Sequence, residues 1–118
     1  MVKFCLSLAA LFLLIGCATA PNGVKDDPSY ASDVQPLFNS SCVGCHSGSS
    51  PSAGYDLSSR DGALGQGTDS IRNVIPGQPG ASELQRRLDN GSMPPAGGWD
   101  STKIHTVRNW IARGAKDN

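Results

Sequence analysis

Cys42-Val43-Gly44-Cys45-His46 sets the terms for the rest of this chain. On a short helical turn, thiols at positions 42 and 45 can each add to one vinyl group of a porphyrin. The imidazole that follows then swings beneath the iron as its proximal ligand. CxxCH in this order therefore reads as the attachment site of one covalent haem c. Three plainer chemistries share the spacing: a disulfide, half of a zinc site, and a thioredoxin-like redox pair. A tetrahedral zinc site needs a second Cys/His pair downstream, and a thioredoxin-like pair needs strand-helix-strand patterning around it. Neither is present.

The remaining cysteines do not suggest a structural disulfide. Of the four, Cys5 lies within an N-terminal apolar run and Cys17 closes that run. A length of 118 residues allows one small domain, and 38% hydrophobic content is modest for a core of that size. A porphyrin among the helices would add apolar surface that so short a polypeptide cannot assemble alone. Ten basic residues balance ten acidic ones, and loss of Lys3 on processing would leave nine against ten. No face is basic enough to point to a nucleic-acid partner.

Residues 1–16 read as a lipoprotein signal peptide. Lys3 gives the positive start, and positions 4–15 form a nearly unbroken apolar stretch too short to span a bilayer. The stretch ends in Leu14-Ile15-Gly16-Cys17, which resembles the lipobox of bacterial lipoproteins, so Cys17 is the expected lipidated residue of the mature N-terminus. Ala18-Thr19-Ala20 offers an ordinary cleavage pattern as the alternative. Either route puts the haem site in an extracytoplasmic space. The lipid would anchor the chain to a membrane on the periplasmic side or cell surface. The outer membrane is favoured because Ala18, not an acidic residue, follows Cys17. Residues 17–29, rich in Pro, Gly, Asn and Asp, read as the lipidated N-terminus and a flexible tether, and 30–118 as a monohaem domain.

Within that domain the 3.6-residue period predicts short helices. Ser32 or Asp33 can cap the first, with Val34, Leu37, Phe38, Ser41 and Cys42 on one stripe leading to the CxxCH. Positions 47–54 read as a loop wrapping the proximal side, with a carbonyl near Pro51 as the candidate acceptor for the His46 ring N–H. A helical patch over 58–64 is capped by a serine and stopped by Gly65 and Gly67. Ile71, Val74 and Ile75 form an apolar cluster before a turn at Pro76-Gly77-Gln78-Pro79-Gly80. Ser82-Glu83-Leu84-Gln85 has the spacing of a capping box, opening a helix with Leu84 and Leu88 on its apolar edge and Asn90-Gly91 at its end. The last helix runs over 100–112, capped by Asp100 or Ser101, with Ile104, Val107, Trp110 and Ile111 inward and Gly114 as its stop. Phe38, Leu64, Leu84, Leu88 and Trp110 are the expected wrapping around the haem.

Met93 is the only methionine besides Met1 and is followed by Pro94 and Pro95. A thioether on a stiff loop suits the sixth position of an electron-carrying haem, and the prolines reduce the entropy lost in holding it there. Filling a core gap is the plainer fate of a methionine. His105, the other histidine outside the motif, falls beside the polar face of the last helix with Lys103, Arg108 and Arg113, where solvation is expected.

Taken together, the CxxCH, Tyr55-Asp56-Leu57-Ser58 with Arg60, Val74-Ile75-Pro76-Gly77, Ser82-Glu83-Leu84 with Arg86-Arg87, Met93-Pro94-Pro95, and Trp110-Ile111 with Gly114-Ala115 resemble a known family. It is that of small class I c-type cytochromes, of the type found in bacterial surface and periplasmic proteins and as a domain of larger planctomycete proteins. The resemblance implies an all-α, cytochrome c-like globule of about four short helices around one covalent haem, whose first and last helices cross near it. Cys42 and Cys45 would attach the haem, with His46 proximal, Met93 distal, both on the iron, and Arg60 near a propionate. The implied role is non-enzymatic: a one-electron carrier exchanging electrons with redox partner proteins. The competing class is a gas sensor or peroxidase-like enzyme in which Met93 dissociates, and no acid-base pair near positions 93–95 supports it.

Overall fold

The computed structural model describes residues 23–118, in which four α-helices and several single turns enclose one apolar core. α1 (Gln35–Ser41) grows out of a π-helical turn (Tyr30–Val34), α2 (Arg60–Ala63) is one turn long, and α3 (Glu83–Asp89) and α4 (Ser101–Ala112) complete the set. Among the described residues there is no strand, only an isolated bridge between Gln66 and Arg72. The all-α globule expected from the sequence is the architecture observed. The signal peptide at 1–16 and the lipidation site Cys17 lie outside the described residues.

The chain closes on itself through aromatic side chains. Trp110 of α4 packs against Tyr30 at a centroid distance of 5.3 Å and against Phe38 of α1 at 6.4 Å. Tyr30 and Phe38 meet edge-on at 6.5 Å. Val34, Val107 and Ile111 fill the space around them, each at 0% exposure. Aromatic pairs in such offset geometries add about 0.5–1.5 kcal/mol each beyond their area burial. Trp110 Nε1 donates to the Lys116 carbonyl at 2.9 Å, so the indole is satisfied despite its burial.

Both ends of α4 follow the sequence signals. The Asp100 side chain accepts from the Lys103 N–H at 3.1 Å, and that bond holds its carboxyl below the usual range. At the other end Gly114 takes φ +101°, with Gly114 N donating to Ile111 O and Ala115 N to Trp110 O, the paired bonds of a Schellman motif. The helical start before α1 differs from expectation. Ser29, not Ser32 or Asp33, is the cap: its Oγ accepts from Ser32 N at 3.3 Å while Asp33 Oδ2 accepts from Ser29 N at 2.8 Å. Asp33 lies inside the turn because its carboxylate reaches back to Ser29 and pairs with Lys25 at 2.6 Å.

The end of the expected tether belongs to the folded unit. Asn109 and Arg113 of the α4 region donate to the carbonyls of Lys25 and Asp26, Pro28 is fully buried, and Ser29 Oγ donates to Asn118 O. Side chains from the far end of the chain thus supply the partners that a local composition argument cannot see. Two further expectations change. Ile71 is 43% exposed, so only Val74 of that apolar cluster is buried in the core. No capping box forms at α3, because the buried Ser82 hydroxyl accepts from Ile75 N and donates to Gln78 O, both at 2.8 Å. The first amides of α3, Glu83 N and Leu84 N, donate instead to the carbonyls of Arg72 and Asn73.

α2 is short because its surroundings are tight. Ser59 Oγ caps it by accepting from Gly62 N at 3.0 Å, and a Cβ on Gly62 would lie 2.5 Å from the Asp56 carbonyl oxygen. That contact is to backbone, which cannot swing away. Gly62→Ala is expected to destabilise the fold by about 1–3 kcal/mol despite its better helix propensity. A fall in the urea midpoint at unchanged slope checks this.

Candidate functional site

α1 ends where the motif begins. Cys42 caps the helix with its N–H on Phe38 O at 2.8 Å, and the next turn closes through His46 N to Cys42 O at 2.9 Å. The following loop is stitched back to this turn by Ser52 N to Cys45 O at 2.9 Å and Leu57 N to His46 O at 2.7 Å. The core behind it, Phe38 against Trp110, therefore fixes where the two thiols and the imidazole stand.

His46 Nδ1 lies 3.1 Å from the Tyr55 carbonyl oxygen. A carbonyl only accepts, so this contact keeps a proton on Nδ1 and leaves Nε2 as the nitrogen whose lone pair can bind a metal. The acceptor is Tyr55 and not a carbonyl near Pro51. A 3-10 turn at Ser52–Gly54, with Ala53 at φ +55°, turns the loop so that Tyr55 returns beneath the ring. Tyr55 is held in turn by its own hydroxyl, which donates to Ala63 O at 2.8 Å, and burial raises that phenol's pKa.

Cys42, Cys45, His46 and Met93 line one cavity of about 340 Å³. Leu57, Leu84 and Leu88 give it apolar walls. Met93 arrives through the end of α3. Gly91 takes φ +73° after the helix, and Met93 N then donates to the Arg87 carbonyl at 3.1 Å, so an orphan acceptor of the helix terminus positions the thioether. Pro94 and Pro95 follow along the same wall.

Other expected site residues lie elsewhere. Arg60 does not line the cavity: its Nε donates to Ala115 O at 2.9 Å and its Nη1 to Asp61 at 3.1 Å. His105 is exposed on α4, as its helical position predicts. Phe38, Leu64 and Trp110 form or adjoin the core behind the cavity and do not wall it. The sequence reading missed the polar part of the lining, which includes Asn73, Glu83 and Arg87. Asn73 donates to Gly65 O at 3.1 Å. The signal for Glu83 and Arg87 was present: positions 83, 84, 87 and 88 share one face of a helix whose leucines were already assigned inward.

The residues present fit a haem c. Cys42 and Cys45 are free thiols rather than a disulfide, and burial pushes the Cys42 thiol up to about 11. A redox-active CxxC needs the opposite, a lowered thiol pKa. Among the described residues no group of three or more His, Cys, Asp or Glu is arranged to hold a bare metal ion. An apolar cavity with two thiols, a proton-fixed imidazole and a thioether at its walls suits a haem.

Comparison with known proteins agrees. Residues 42–97 match the family model described as planctomycete cytochrome C, a span running from the first cysteine of the motif past the Met93 loop. Neither the curated proteins nor the solved structures gave a match. The match supports a c-type cytochrome, with covalent haem and electron transfer as the general chemistry.

Proposed function

We propose that this chain is a one-electron carrier of an extracytoplasmic electron-transfer chain, holding one haem c on Cys42 and Cys45 with His46 and Met93 as axial ligands. The observation that carries the reading is that these four side chains line a single apolar-walled cavity. When bound, the haem supplies an iron that gains and loses one electron.

The protein's own residues do the rest. The Tyr55 carbonyl holds the His46 ring in place and, by accepting its Nδ1 proton, strengthens Nε2 as a donor. The Arg87 carbonyl and the two prolines hold the Met93 loop, so the ligand set reorganises little between oxidation states. A thioether favours the reduced form, and Leu57, Leu84 and Leu88 exclude water, which disfavours the more highly charged oxidised form. A haem held by both His46 and Met93 would leave no open site for a substrate, which favours a carrier over an enzyme.

Partners would approach beside the motif, where Gly44 and Cys45 are exposed. No charged residue occurs from position 34 to 55, so the motif segment itself adds little electrostatic steering. We further propose that Cys17 carries a lipid. Residues 25–29, bound to the domain, would not belong to the tether between that lipid and the haem site.

Three outcomes are expected. The methionine-to-ferric charge-transfer band in the optical spectrum should be lost in Met93→Ala and kept in His105→Ala. Persistence of the band in Met93→Ala would refute the axial assignment, and tight carbon monoxide binding by the reduced parent at neutral pH would favour a sensor. Bimolecular electron exchange at this face should change less than about threefold between roughly 20 mM and 0.5 M salt. Cys17→Ser should move the protein from the membrane fraction to the soluble fraction without altering its spectrum.

A further inference from the structure

The cavity carries an uneven charge inventory. Of the charged side chains lining it, Asp69 and Glu83 are acidic and Arg87 alone is basic. Glu83 is not free to repel an anion: its side chain, 14% exposed, receives Arg87 Nε on Oε1 at 2.7 Å and Arg86 on Oε2. Burial pulls the Glu83 carboxyl up, but the bonds from Arg87 and Arg86 outweigh it and hold the carboxyl below its usual range. The triad Glu83, Arg86 and Arg87 is thus net positive by one charge. Glu83 and Arg87 share the helix face that turns Leu84 and Leu88 to the cavity, while Arg86 reaches Glu83 from outside it.

Arg87 is anchored at both ends of its residue. Its Nε is taken by Glu83, four positions earlier, in the orientation that favours a helical ion pair. Its carbonyl accepts from Met93 N and from Ser92 Oγ at 3.4 Å. The terminal nitrogens of the guanidinium have no hydrogen bond to Glu83's other oxygen, which Arg86 occupies. A planar fork held by one edge at a cavity rim is preorganised to take a carboxylate on the other.

Resting on the haem reading above, we propose that Arg87, positioned by Glu83, binds a haem propionate at the cavity rim, and that Arg60 does not. A haem placed against Leu84 and Leu88 brings two carboxylates with it. An anion beside those apolar walls requires a cationic partner, and the lining offers one. Arg60 is already committed to Ala115 O and Asp61. Arg87 would act on the couple through a charge-paired propionate and not as a ligand.

Spectroelectrochemical titration of the full-length holoprotein from about pH 5 to 8 tests this. In the parent, the propionate paired to Arg87 should add no slope to the midpoint potential, because it stays ionised below a carboxylic acid's usual range of about 4; any slope from the second propionate is common to parent and variants. Arg87→Gln should lower the potential at pH 8, since a lost positive charge favours the oxidised form. It should also introduce a segment in which the potential falls as pH rises through the released propionate's pKa. Asp69 and Glu83, the other carboxyls facing the cavity, are present in both proteins. Glu83→Gln checks whether Glu83 supplies that segment: it must persist in the Arg87→Gln, Glu83→Gln double variant.

Arg60→Gln should match the parent in both level and slope. A parental profile in Arg87→Gln, or a new sloping segment in Arg60→Gln, overturns the proposal. If Arg87→Gln does not accumulate, Arg87→Lys is read in its place and must show a weaker slope, because an ammonium cannot reproduce the fork. A parental profile there also overturns the proposal. Failure of the underlying haem reading would look different: the parent itself would lack a covalent haem spectrum.

Discussion

Trp110 is the contact on which the chain depends. It packs against both Tyr30 and Phe38, and through them it fastens the last helix to the segment that carries the cysteines. A domain this small has few such residues, and Phe→Ala or Trp→Ala changes in cores cost about 3–5 kcal/mol, comparable to the whole stability of many domains of this size. The motif is displayed from the end of α1, so its geometry is only as firm as this aromatic joint. Catalogues of loop contacts around His46 describe the second layer of support, after the joint has fixed the helix.

A second constraint comes from walls that must not collapse. Leu84 and Leu88 are nearly buried, at 6% and 2% exposure, yet both face a cavity as well as the core. Side chains free to repack would fill such a space. α3 is held open by backbone bonds at both ends: Glu83 N and Leu84 N to the carbonyls of Arg72 and Asn73, and Met93 N to Arg87 O. The same bonds that prevent closure also set Met93 at the edge.

Much of this was legible in the sequence where the signal was local. α4 showed its period, its Asp100 cap and its Gly114 stop, and all three are observed. CxxCH and Met93 announced themselves by residue type, and the fold brings them to one cavity. What was illegible was decided by distant partners. Ser82 looked like a helix cap but serves Ile75 and Gln78. Positions 25–29 looked like linker but are bound by Asn109 and Arg113. The acceptor for His46 was sought near Pro51 because nothing in the sequence shows that Ala53 adopts a left-handed conformation. Arg60 was placed near a propionate on resemblance alone, and its bonds to Ala115 O and Asp61, the first of them to the far end of the chain, keep it off the cavity lining.

The order in which these parts leave the ribosome has a consequence of its own. Trp110 and the Asn118 groups that hold Ser29, Tyr30 and Ala31 emerge long after positions 42–46. A chain that ends before Trp110 cannot form the aromatic joint. Until that distant segment is in place the two cysteines lack the joint that fixes them, so their final geometry is among the last things the fold can settle.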